Sequence, residues 1–172
     1  MAQYPVLLAG QRITAAMLAS MLPLEQMKFA NTDRAATTTF ADDPDLTIAL
    51  EAGATYRVEM YLHYAALDAA RFKTMWSVPG TWTGNRSAVG PDQGQILSAT
   101  SGGNGRWGVH NFSTAVTYGT RDNAGNQCYA LEEGMVTTTT AGTLALQWAQ
   151  ATSNATASRL AAGSYMRVKR LS

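Results

Sequence analysis

From about residue 32 almost to the C-terminus, this chain has one texture. Short runs alternate apolar and polar residues, with turn signals near every tenth position. The clearest run is Thr55 to Tyr64. Tyr56, Val58, Met60, Leu62 and Tyr64 fall on one face, and Thr55, Arg57, Glu59, Tyr61 and His63 on the other. A period of two is the signature of a half-buried strand, because successive side chains point to opposite faces. Leu46, Ile48 and Leu50 repeat it, as do Phe72 to Val78, Phe112 to Tyr118, Leu144 to Trp148 and Tyr165 to Leu171. Further strands are expected at Thr37 to Phe40 and along Tyr129, Leu131, Met135 and the threonines 137 to 140. Turns are expected at Ala41 to Asp45 (ADDPD), Glu51 to Ala54, Arg121 to Asn126 and Ala141-Gly142. About eight to nine strands with uneven loops predict an all-β fold, an antiparallel jelly-roll sandwich.

A prefix of different character precedes this globule. Residues 1 to 10 are apolar, with Pro5 and Gly10, and read as an extended arm. Val6, Leu7 and Leu8 would each gain roughly 1.5 to 3 kcal/mol on burial, so the arm is expected to dock. Gln11 to Leu22 reads as one short helical segment. Thr14 can cap a helix, Ala15 and Ala16 favour one, and Pro23 ends it. Ile13, Met17, Leu18, Met21 and Leu22 form its apolar stripe. So short a helix does not persist alone in water and needs a partner surface. That surface is either another molecule or the end of its own barrel. The expected division is residues 1–31 as anchoring arm and helix, and residues 32–172 as the jelly-roll domain.

Composition narrows the function. Charged residues are 15% of the chain, against roughly 25% in an average domain. Threonine-rich strands with few charges suit surfaces that become buried by assembly; the alternative is a host whose proteome is rich in Ala and Thr. A net charge of +1 supplies no field for nucleic acid or an anionic membrane, and neither is expected as a partner. Cys128 is the lone cysteine, so no intrachain disulfide is expected. No secretory signal is expected from the N-terminus, and no stretch approaches the roughly 18 apolar residues of a membrane span.

No catalytic pattern emerges. His63 and His110 are the only histidines, and no G-x-S-x-G elbow is present. Glu132 and Glu133 are adjacent in a predicted strand, so they point to opposite faces and cannot act as a carboxylate pair. Asp42, Asp43 and Asp45 offer oxygen ligands but lack the glycine and terminal glutamate of a calcium loop, and are expected to form a turn. No enzyme activity, metal or cofactor is expected. Residues 80 to 105 are rich in Gly, Ser, Asn and Asp. They read as long loops with one short strand at Gln95 to Ala99. Trp82 and Trp107 sit in or beside these loops and could stack on sugar rings, with Arg86, Asp92, Asn104 and Arg106 adding hydrogen bonds. The alternative is that they fold onto the barrel end.

Three segments carry a resemblance. AGQRITAAMLASMLP resembles a short start found in phage tail and fibre proteins. DDPDLTIALEAGATYRVEMYLHYAA and LALQWAQATSNATASRLAAGSYMRVKRLS resemble the opening and close of a small β-domain family of actinobacterial phages and prophages. The resemblance implies a virion surface protein: a capsid decoration protein, a head fibre or a minor tail protein. It would be made in the bacterial host cytoplasm. Such domains are similar to trimeric jelly rolls of the tumour-necrosis-factor and complement-globular-head type, in which an aromatic sheet face packs on a threefold axis. Tyr56, Tyr61, Tyr64, Tyr118, Tyr129 and Tyr165 are the candidates for that face. The expectation is a non-enzymatic homotrimer, anchored to phage capsid or tail proteins by Val6, Leu7, Leu8, Ile13, Met17, Leu18, Met21 and Leu22. The alternative is a receptor-recognition module that binds host-surface glycans through Trp82 and Trp107.

Overall fold

The computed structural model describes residue 5, residues 7–98, residue 100 and residues 103–172. Among the described residues a short helix, α1 (Ala15–Ser20), leads into twelve strands: β1 (Leu24–Met27), β2 (Thr32–Arg34), β3 (Ala41–Leu50), β4 (Thr55–Ala66), β5 (Phe72–Ser77), β6 (Thr83–Pro91), β7 (Gly105–His110), β8 (Val116–Tyr118), β9 (Asn123–Thr137), β10 (Gly142–Gln150), β11 (Ser158–Leu160) and β12 (Tyr165–Arg170). The larger sheet runs β1-β12-β4-β9-β6-β7, and the smaller runs β3-β10-β5-β8. The named strand pairs are antiparallel. Without β6 and β7, and without the short β2-β11 pair beside the far end of β4, two four-stranded sheets remain. They are β1-β12-β4-β9 and β3-β10-β5-β8, the strand order of a jelly roll. The β6-β7 hairpin is an addition that widens the larger sheet beyond β9.

The alternation in β4 becomes the core as expected. Tyr56, Val58, Met60, Leu62 and Tyr64 are buried, facing Leu144, Leu146 and Trp148 of β10 and Phe72 and Trp76 of β5. Tyr64 stacks on Phe72 at 4.6 Å between ring centroids. Each such side chain contributes about 1.5–3 kcal/mol by leaving water.

A polar cluster crosses this core. Glu132 of β9 accepts hydrogen bonds from Trp76 Nε1 at 2.7 Å, from the Tyr118 hydroxyl at 2.8 Å and from Thr74 Oγ1, and pairs with Arg86 of β6. Arg86 also donates to the carbonyls of Thr74 at 2.9 Å and Thr114 at 2.8 Å. Both members of the ion pair are fully buried. Glu133, one residue on, is exposed and pairs with Arg57, so the two glutamates do point to opposite faces.

Several boundaries differ from expectation. β1 pairs with β12 from Leu24 onward, so the sandwich begins before the expected 31/32 division. ADDPD is the start of β3 rather than a turn, and Thr37 to Phe40 is not a strand. Pro44 is tolerated because β3 lies at the edge of its sheet. The expected loop from residue 80 contains β6, and Asn123 to Asn126 of the expected RDNAGN turn already belong to β9. Of the expected strand at Gln95 to Ala99, Ile96 makes a single bridge to Thr120, while Ala99 lies outside the described residues.

Candidate functional site

The outward face of the larger sheet carries an apolar row that crosses six strands. Register pairs Met27 with Tyr165, Tyr165 with Tyr61, Tyr61 with Leu131, Leu131 with Val89, and Val89 with Trp107. Directly paired residues in antiparallel strands share a face, so these side chains form one band. At about 4.8 Å per strand the band is roughly 24 Å long. Met27, Tyr165, Leu131 and Trp107 are exposed; Tyr61 and Val89 are half-buried by their neighbours. His63 and Tyr129, themselves paired, broaden it. Tyr61 meets His63 edge-on at 4.6 Å, stacks with Tyr129 at 5.8 Å and lies 5.9 Å from Tyr165.

One row along the sheet, the chemistry changes. Glu25, Arg167, Glu59, Glu133 and Ser87 are paired in register, with Val109 at the end. Arg57 bridges Glu59 at 2.9 Å and Glu133 at 3.3 Å, and Arg167 bridges Glu25 at 3.3 Å. The face is therefore an aromatic band with a charged ladder on one flank. An extended apolar patch with a polar rim marks an interaction surface. Beside β1 the band continues into a groove of about 450 Å³ whose lining includes Met27, Phe29 and Tyr165.

The expected tyrosines divide evenly. Tyr61, Tyr129 and Tyr165 lie on the outer face. Tyr56, Tyr64 and Tyr118 are core residues and cannot reach a partner. Burial pushes the Tyr64 and Tyr118 hydroxyls far above the usual tyrosine range, and the Glu132 carboxylate adds to the shift at Tyr118. Cys128 is buried beneath the outer face, and burial raises its thiol.

A second apolar surface lies at the N-terminus. Thr14 caps α1 by accepting from the Met17 amide at 3.2 Å, as its sequence predicts, but the helix buries none of its residues. Leu7, Leu8, Ile13, Leu18 and Leu22 are each more than half exposed; Met21 is also exposed and Met17 is half-buried. Val6 lies outside the described residues. The chain after α1 skirts the end of the sandwich and leaves a cleft of about 290 Å³, whose lining includes Leu22, Leu24, Tyr56 and Val168. Ala19 and Ser20 of the helix line the same cleft, but no residue of the helix is buried there.

The two loop tryptophans are not brought together. Trp82 is 5% exposed, and its indole N–H donates to the Thr140 carbonyl at 2.8 Å. Trp107 is 76% exposed on β7, near the opposite end of β6. Its ring lies over Gly105, where a Cβ would come within 2.7 Å. Arg86 is locked in the core, and Asp92 faces Arg106 at 3.5 Å. The sugar-binding arrangement that the sequence offers as the alternative therefore loses Trp82 and Arg86. The aspartates of ADDPD are likewise engaged. Asp43 and Asp45 pair with Lys28, and Asp42 accepts from Gln147 at 2.7 Å. Among the described residues no group of three or more metal-ligating side chains is assembled. None of the helices described is long and apolar enough to cross a membrane.

No family model and no curated protein matches the chain. Among solved structures, one of infectious bursal disease virus, Gx strain, aligns with 6% identity and a TM-score of 0.21. It covers 99% of this chain and 41% of the viral one. A similarity that low carries no weight for either fold or function.

Proposed function

We propose that this chain is a non-enzymatic structural protein of a bacteriophage particle, a homotrimer built on the outer face of the larger sheet and anchored by its N-terminal arm and helix. The observation that carries this reading is the six-strand apolar band, unpartnered within one chain. Burying it against its own copies removes Tyr61, Tyr129, Leu131 and Tyr165 from water while the charged ladder stays at the rim. An obligate interface of that kind buries about 2,000 Å² or more. The threefold count and the phage setting come from the resemblance of the three segments. Of the positions that the resemblance implies, we favour capsid decoration or a head fibre over a minor tail protein.

Light scattering on the purified protein tests the assembly. The expected mass is three times the 18.4 kDa of the chain. Leu131→Glu should reduce it to the single-chain value with an unchanged far-ultraviolet spectrum. A wild-type protein that runs as a monomer at all concentrations overturns the trimer. The glycan-binding alternative rests on Trp107; it requires Trp107→Ala to abolish retention on a host-glycan array.

A further inference from the structure

The Lys28 side chain, just after β1, is fully buried between the two sheets. Its backbone is pinned on both sides: its N–H donates to Ser164 and its carbonyl accepts from Gly163, each at 2.8 Å. Its Nζ is level with both carboxyl oxygens of Asp43, at 3.2 Å from Oδ1 and 3.1 Å from Oδ2, and 2.6 Å from Oδ2 of Asp45. The Asp43 side chain is also fully buried, whereas that of Asp45 is 42% exposed. Asp43 Oδ1 accepts the backbone N–H groups of Asp45 and Leu46, each at 3.1 Å. Its Oδ2 accepts the indole N–H of Trp148 at 3.1 Å.

We propose that Lys28 and Asp43 condense spontaneously into an intramolecular amide cross-link, with Asp45 as the proton carrier. The parts of an acyl-transfer site are present. There is an amine nucleophile, a carboxylate within hydrogen-bond reach to carry its protons, and two backbone donors on the oxygen where charge develops. Asp45 relays one ammonium proton to Asp43 Oδ2. The Nζ lone pair attacks Cγ, the C–N bond forms, and negative charge on Oδ1 meets the two N–H groups. A second Nζ proton passes through Asp45 to Oδ2. The Cγ–Oδ2 bond breaks with its electron pair, and one water leaves on the side of Asp45, which is open to solvent. Asp45 ends as it began, and no oxidant or co-substrate is used.

Two physical terms favour the step. Amine and carboxyl held in a near-attack geometry react at an effective concentration on the order of 10⁵–10⁸ M. In water, hydration of the two ions opposes condensation; here both are already dry, and the amide replaces two buried charges that are costly to desolvate. The carboxylate that is consumed is the buried one, and the carboxylate that stays charged is the one in contact with water. The bond would tie the anchor-bearing end of the larger sheet to the smaller sheet. It stands or falls independently of any role in a particle.

Mass spectrometry of the intact, purified chain tests it. The expected mass is lower than that of the sequence by one water. Trypsin should fail to cut after Lys28 and should release a branched peptide joining Lys28 to Asp43. Lys28→Arg should restore the full mass, and Asp43→Asn should lose ammonia instead of water. Asp45→Asn, with an unchanged circular dichroism spectrum, should stay at full mass. A wild-type protein that keeps its full mass after prolonged incubation in the folded state overturns the cross-link. A branch at Asp45, or an Asp45→Asn variant that condenses as fast as wild type, overturns the assigned roles.

Discussion

At the scale of single residues, Glu132 organises the core. It is a buried carboxylate with four partners drawn from both sheets, so its removal strands the Arg86 charge in a dry site. Glu132→Ala should cost about 3–5 kcal/mol, read from guanidinium denaturation, because breaking one half of a buried pair leaves the other uncompensated. His110 gives a prediction in pH. Burial holds its imidazole below the usual histidine range, and the positive charges of Arg86 and Arg106 add to the effect against the opposing Glu132. A histidine with a depressed folded-state pKa favours the neutral form. Its contribution to stability is therefore complete above the unfolded value of about 6.5 and is lost as pH falls through that value toward the folded one. An NMR titration should place the His110 midpoint below that of a histidine in the unfolded chain.

At the scale of elements, the β6-β7 hairpin shows why some strands escape the eye. Alternate positions of β6 are Gly84, Arg86, Ala88 and Gly90, so the face turned to the core has no apolar rhythm. Arg86 can be buried only because Glu132 waits on the neighbouring strand. Nothing local to residues 83–91 announces that. The β6–β9 junction also depends on small residues. Gly84 has φ +136°, and a Cβ there would stand 1.9 Å from the Met135 carbonyl oxygen. Gly84→Ala should lose at least about 1–3 kcal/mol from backbone strain alone, visible as a lowered denaturation midpoint. ADDPD was unreadable for a related reason. Asp and Pro are turn formers, yet here the aspartate carboxyl groups satisfy a buried lysine and an edge position accommodates the proline.

At the scale of the whole molecule, the two unpartnered apolar surfaces are separable. The helix buries none of its residues against the sandwich, so deleting residues 1 to 23 should leave the sandwich folded, read from an unchanged far-ultraviolet circular dichroism spectrum. The truncated protein should keep its oligomeric mass by light scattering and fail to join particles. Normal incorporation would remove the anchor role from Leu7, Leu8, Ile13, Met17, Leu18, Met21 and Leu22.

The sequence alone determined the all-β class, the inward face of β4, the Thr14 cap, the Pro23 stop and the opposed glutamates. Each follows from a local rule, a period of two or the conformational preference of one residue. The tertiary structure decided which strands are neighbours. With that came which three tyrosines face outward, why Trp82 is sealed while Trp107 is bare, and how Lys28 meets Asp43 across the sheets. Period tells a side chain which face it takes, but partners distant in the chain are chosen by the register and packing of the whole sandwich.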